Sequence, residues 1–127
     1  MSPVAGLGTD LSRVARFERL LGEKRAVIDR LFTDNEKSYA FAKKHPAPHL
    51  AARFAAKEAF LKALGLGLRD GISWLDMDVE LDALGKPSLK LTGRAREIFD
   101  EKGMGRLHLS YSHEGDYAFA TVVLEGT

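Results

Sequence analysis

A chain of 127 residues, 45% hydrophobic and 29% charged, has the size and composition of one compact domain, taken here as residues 1–127. A formal net charge of +1 and the absence of cysteine exclude the broad positive field of a general nucleic-acid binder, a disulfide framework and thiolate chemistry. The opening "MSPVAGLGTD" has no basic or apolar leader region and no later apolar run approaches a membrane span, so a cytoplasmic protein without a membrane partner is expected.

In chain order, residues 3–8 read as a short first strand and residues 10–21 as a helix with Leu11, Val14, Phe17, Leu20 and Leu21 on its apolar side. At that junction Asp10 or Ser12 would cap the helix by accepting from its free backbone N–H groups. Gly6 and Gly8 suit a tight passage of the chain, and also the close approach of a ligand to the backbone. A second helical piece with Ile28, Leu31 and Phe32 leads to Thr33 and Asp34, either of which would cap a short helix running to Lys44. The prolines of "HPAPH" break the chain before a helix over residues 50–64, which stops at Gly65, a residue suited to a left-handed C-terminal cap.

The second half changes character. "WLDMDVEL", residues 74–81, alternates Leu75, Met77, Val79 and Leu81 with acidic residues, the pattern of a strand with one buried face. "SLKL" resumes the alternation after "ALGKP", and residues 92–102 form a short helix closed by Gly103. Residues 106–112 and 117–124 form a hairpin across "HEGD". The expected fold class is α+β, with helices packed on a mostly antiparallel sheet that the first strand joins.

Charge is unevenly spread along this framework. Residues 11–30 carry six basic and three acidic residues, and residues 43–62 carry five basic residues against Glu58 alone, so two basic regions are available to anionic partners. On the helix of residues 50–64, Glu58 shares its side with Phe54, Ala55, Leu61 and Lys62. A carboxylate there needs a strong partner, either a basic side chain or a metal. Spacing alone favours Lys62, since Glu to Lys at i, i+4 contributes roughly 0.2–0.5 kcal/mol on an exposed helix. In the other reading Glu58 holds a cation while Arg53, Lys57 and Lys62 face phosphates. Magnesium held in this way needs one or two carboxylates, and Asp10 is the second candidate.

Other motifs fail. "GLGLRDG" lacks the dinucleotide-binding spacing, "GKPS" has proline where a P-loop needs Ser or Thr, and "LSYSH" has no nucleophile elbow around its serines. The four histidines show no zinc-ligand spacing, and His113 at a strand end reads as a polar turn residue or a ligand contact.

Taken together, "GLGTDLSRVARF", "RFAAKEAFLKALGLG", "GISWLDMDVELDALGKPSL" and "LSYSHEGDYAFATVVLE" resemble, in that order and spacing, the holo-acyl-carrier-protein synthases, the short single-domain 4'-phosphopantetheinyl transferases. The resemblance spans essentially the whole chain. It implies transfer of 4'-phosphopantetheine from coenzyme A to a serine of apo-acyl carrier protein, releasing adenosine 3',5'-bisphosphate, by a homotrimer with sites at subunit interfaces. It implies that Asp10 and Glu58 hold Mg2+. Arg53, Lys57, Lys62 and His113 would then lie near the coenzyme, with Lys86 and Pro87 close by. Charge developing at phosphorus suits such a metal and lysine set, and Glu58, through an intervening water, or His113 would accept the serine proton. Arg13, Arg16, Arg19 and Arg25 offer forked donors to an acidic carrier, and Arg16 falls where the family has a carrier-contacting arginine. Leu61 and Leu66 depart from the family pattern near the phosphates, so altered coenzyme affinity is expected. The competing class is a non-catalytic module that binds an acidic protein or a nucleotide through the basic helices.

Overall fold

The computed structural model describes residues 2–127. Strand β1 (Val4–Arg13) runs straight into helix α1 (Val14–Glu23), followed by α2 (Arg25–Leu31), α3 (Asp34–Phe41) and the long α4 (Pro46–Leu64). A 3-10 turn (Trp74–Asp76) then leads to β2 (Met77–Leu81), β3 (Pro87–Leu91), α5 (Gly93–Glu101), β4 (Met104–Glu114) and β5 (Tyr117–Gly126). All strand pairs are antiparallel. They make two sheets: a three-stranded one in the order β1-β5-β4 and a two-stranded β2-β3 hairpin. The α+β expectation therefore holds, and the first strand does join the sheet.

Several boundaries differ from the sequence reading, each for a tertiary reason. β1 continues through Arg13 because every residue from Gly6 onward pairs with β5, Asp10 opposite Ala120 and Arg13 opposite Tyr117. Neither Asp10 nor Ser12 is therefore a helix cap, and Leu11 points out of a strand instead of into a helix interface. The prolines at 46 and 48 sit inside the first turn of α4, where their missing N–H groups cost no hydrogen bond, so they begin this helix early. Trp74 to Asp76 coil into the 3-10 turn because the Ser73 hydroxyl accepts from Leu75 N at 3.2 Å and the Asp76 carboxylate accepts from Ser73 N at 3.1 Å. Only Met77 onward is strand. Thr33 does cap α3, in a reciprocal box with Glu36, and Gly65 does close α4 in the left-handed region at φ 79°.

Helix α4 is the axis of the molecule. Its first half packs with Val14 and Phe17 of α1, Ile28, Phe32 and Ala40 in one apolar cluster, and its second half packs with Met77, Val79, Ile98, Phe99 and Val122 in another. Trp74 and Tyr111 touch both clusters. No described helix is long and apolar enough to cross a membrane.

The contact between α4 and β1 is backbone to backbone. A methyl group placed on Gly8 would lie 1.9 Å from the carbonyl oxygen of Ala59, and one on Gly6 would lie 2.3 Å from that of Ala63. These two glycines make room for a helix, whereas the sequence left a ligand as one reading. Gly22, by contrast, faces open space. Gly8→Ala is expected to lower stability in urea denaturation by roughly 1–3 kcal/mol through overpacking. In the same assay Gly22→Ala, on the exposed end of α1, is expected to be neutral or to stabilise by up to about 1 kcal/mol.

Candidate functional site

Because side chains alternate along a strand, Gly6, Gly8, Asp10 and Ser12 share the inward face of β1. The glycines let α4 settle against that face with Ala59 and Ala63 at the contact, and the residues just before those alanines are Glu58 and Lys62. Asp10, one step along the strand from Gly8, meets them there. Lys62 Nζ donates to Asp10 Oδ1 at 3.0 Å, with Asp10 largely covered and Lys62 half exposed.

Lys62 is thus paired across elements with Asp10, and the i, i+4 ion pair with Glu58 that spacing favours does not form. Among the described residues Glu58 has no hydrogen bond and no ion pair, although it is only partly exposed. Burial pushes its pKa up, the nearby Asp10 carboxylate pushes it further, and Lys62 and Arg16 partly offset both. Two carboxylates are close enough to repel one another, with one left unneutralised. Their oxygens are hard donors, so the pair fits a divalent cation bound jointly with an anionic ligand.

Lys57, expected to face phosphates, does not. It is fully buried, and its ammonium donates to Glu36 Oε1 at 2.7 Å, Leu31 O at 2.7 Å and Trp74 O at 3.1 Å, which occupies all three protons. Glu36 in turn accepts from Thr33 N and Val79 N, both at 2.8 Å. One helical step turns adjacent residues by about 100°. Lys57 therefore looks into the core while Glu58 looks toward Asp10. Leu61 likewise belongs to the core, and Leu66 packs at its edge.

A second cluster stands earlier on α4. Arg53 is 2% exposed, its Nη1 donates to His49 O at 3.1 Å, its guanidinium lies 4.2 Å from the Tyr39 ring centre, and its Nε has no partner. His49 stacks edge-on between Tyr39 and His113, at 5.7 and 5.6 Å, and Lys43 Nζ lies 4.7 Å over Tyr39. Burial lowers the His49 pKa, and Arg53, His113 and Lys43 lower it further. No carboxylate pairs with Arg53 among the described residues, so this buried cation lacks its counter-charge. Such an arrangement suits an anion. The sequence reading picked Arg53 and His113 but missed Tyr39, Lys43 and His49; the one available signal was His49 a helical turn before Arg53.

The four arginines assigned to a partner separate in space. Arg13 lies on the sheet, where it donates to the Tyr117 hydroxyl at 3.1 Å, and Arg25 stacks on Phe41 at 4.5 Å. Arg16 and Arg19 line a cleft of about 290 Å³ with Leu20, Glu23 and Lys24. Arg16 also covers the Phe54 ring at 5.0 Å, which brings it toward Glu58. Lys86 and Pro87 sit at the tip of the β2-β3 hairpin, whose turn is tied by Asp82, and no hydrogen bond or ion pair joins them to either cluster among the described residues.

The family described as the 4'-phosphopantetheinyl transferase superfamily matches residues 6–122. A holo-acyl-carrier-protein synthase of Syntrophotalea carbinolica is 59% identical over 127 residues, covering 99% of each chain. A crystal structure of the holo-acyl-carrier-protein synthase of Neisseria meningitidis superposes with a TM-score of 0.87 at 38% identity, covering 97% of this chain and 99% of the other. That of Bacillus anthracis, solved in complex with CoA (3',5'-ADP), superposes with a TM-score of 0.81 at 34% identity over the whole of both chains.

The different settings of two lysines on α4 give a test by urea denaturation. Lys57→Met leaves Glu36 buried without its cation and is expected to cost roughly 3–5 kcal/mol of stability. Lys62→Met removes a half-exposed pair and is expected to cost about 1 kcal/mol or less.

Proposed function

This chain belongs to the 4'-phosphopantetheinyl transferase superfamily, and we propose that it transfers 4'-phosphopantetheine from coenzyme A to a serine of apo-acyl carrier protein. The observation that carries the proposal is the meeting of Asp10 and Glu58, with Glu58 unpaired and Lys62 beside them. In the reaction the serine oxygen forms a bond to the phosphorus bearing the pantetheine arm. The phosphoanhydride bond to that phosphorus breaks, 3',5'-ADP departs, and the serine loses its proton. The chain offers no activated nucleophile of its own, and none is needed.

Asp10 and Glu58 are the residues that would hold a magnesium ion, which when bound would neutralise the pyrophosphate and favour departure of 3',5'-ADP. Lys62 uses one of its three donors on Asp10 and keeps the others for a phosphate oxygen as charge develops there. Arg53 and Lys43 supply positive charge, and His49 and His113 ring nitrogens, for a more distant anionic group of the coenzyme, and the lack of a carboxylate on Arg53 supports that assignment. His113 is exposed and stands beside that anion cluster, away from the carboxylate pair. Glu58 is thus the better placed of the two candidates to accept the serine proton, through an intervening water. The cleft lined by Arg16, Arg19 and Lys24 offers the acidic carrier forked donors around the apolar Leu20.

The chain is proposed to act as a homotrimer. Leu7, Leu11, Phe119 and Tyr117 share the outward face of the three-stranded sheet, Leu7 and Leu11 being 63% and 59% exposed. No described element covers that face, and contiguous apolar surface of this kind is the mark of an interface. Light scattering is expected to give about 42 kDa, three copies of the chain, and Phe119→Glu is expected to reduce it to the 14.0 kDa monomer.

Transfer itself is checked by intact-mass analysis of an apo-acyl carrier protein incubated with this chain and coenzyme A. A gain of one phosphopantetheine is expected only with Mg2+ present. Glu58→Gln is expected to cut turnover by at least about 100-fold. It should also raise the melting temperature of the metal-free chain by roughly 1–3 °C, since it removes a desolvated carboxylate repelled by Asp10. A module that only binds would show no gain in carrier mass.

A further inference from the structure

Helix α1 starts without any of the devices that normally begin a helix. It follows β1 with no intervening loop, its N-cap residue Arg13 makes no side-chain cap, and its first turn contains no acidic residue. The free N–H groups are met from elsewhere. The carbonyl of Asp116 accepts from Val14 N at 2.8 Å, and its carboxylate Oδ1 accepts from Ala15 N at 3.1 Å. Asp116 lies in the two-residue turn between β4 and β5, about a hundred residues further along the chain. The β1-β5 ladder ends at Arg13 opposite Tyr117, which delivers Asp116 to the start of α1. Gly115, at φ 57°, supplies the left-handed residue that lets so short a turn form.

Resting on the reading of the site given above, we infer that Asp116 is a positioning residue for the carrier-binding helix. It acts through α1 and touches neither substrate. The first turn it caps contains Arg16, which lines the cleft, covers Phe54 and contributes to the electrostatics of Glu58. Fraying of that turn would release Arg16 while leaving Asp10, Glu58, Lys62 and Arg53 held by β1 and α4. The cap therefore bears on recognition of the carrier and not on the coenzyme. Asparagine caps a helix about as well as aspartate, and alanine does not.

The test uses the full chain with coenzyme A, Mg2+ and apo-acyl carrier protein. Asp116→Ala is expected to raise the KM for carrier roughly fivefold, to leave the KM for coenzyme A within about twofold, and to speed amide exchange in residues 14–17. Asp116→Asn is expected to restore both the carrier KM and the exchange protection. Equal increases in both KM values, or faster exchange with an unchanged carrier KM, would reduce Asp116 to a structural residue and overturn the inference. Failure of asparagine to restore would overturn the cap in favour of the charge. A wild-type chain that modifies no carrier fails before any variant is made; it removes the reading of the site, and this inference with it.

Discussion

The structure depends on one close contact, the backbone of α4 laid against β1 over Gly6 and Gly8. Any side chain at these two positions would push the helix outward by the width of a methyl group or more. The helix surface at the contact is small as well, Ala59 and Ala63. With strand and helix this close, short side chains reach across: an aspartate on the strand meets the ammonium of a helical lysine at 3.0 Å. The site is a by-product of how tightly its two supports are packed.

The helix uses its period to keep two charged systems apart. Lys57 and Glu36 form a buried, fully hydrogen-bonded pair that ties α3, α4, β2 and the end of α2 together. The next residue, Glu58, is left partly desolvated beside a second carboxylate. One pair is satisfied inside the protein and rigidifies the scaffold. The other is unsatisfied, which fits the general observation that strained electrostatics collect at functional sites. Arg53, five residues earlier, repeats the second pattern with opposite sign, as a buried cation without an anion.

Periodicity and composition made most of the elements legible, because α4, β2, β5 and the hairpin turn carry strong local patterns. What they could not show was set by tertiary contact. Nothing local says that β1 should extend to Arg13; pairing with β5 decides it, and that pairing places Asp10 in a strand rather than at a cap. The partner of Lys57 lies twenty-one residues away in sequence, in a different helix. A lysine beside a glutamate reads as two surface charges until burial is known. Asp10, Glu58 and Lys62 were reachable as separate candidates, and their meeting was not, since it rests on two glycines whose reason for being there lies in the helix above them. The Arg53 cluster was half legible, because Tyr39 comes to Arg53 from outside its own helix and Lys43 joins through Tyr39.

The strand order β1-β5-β4 constrains how the chain reaches this state. β5 lies between the other two strands, yet it is made after every other described element. While the ribosome works, β1 has no neighbour to pair with, Leu7 and Leu11 are uncovered on one side of it, and α1 lacks its distant cap. The three-stranded sheet can close only once residues 117–126 have emerged, so its assembly follows synthesis of β5 and its folding is governed by long-range contacts. Until then the nascent chain presents an unpaired, partly apolar strand edge, the kind of surface that chaperones shield during translation.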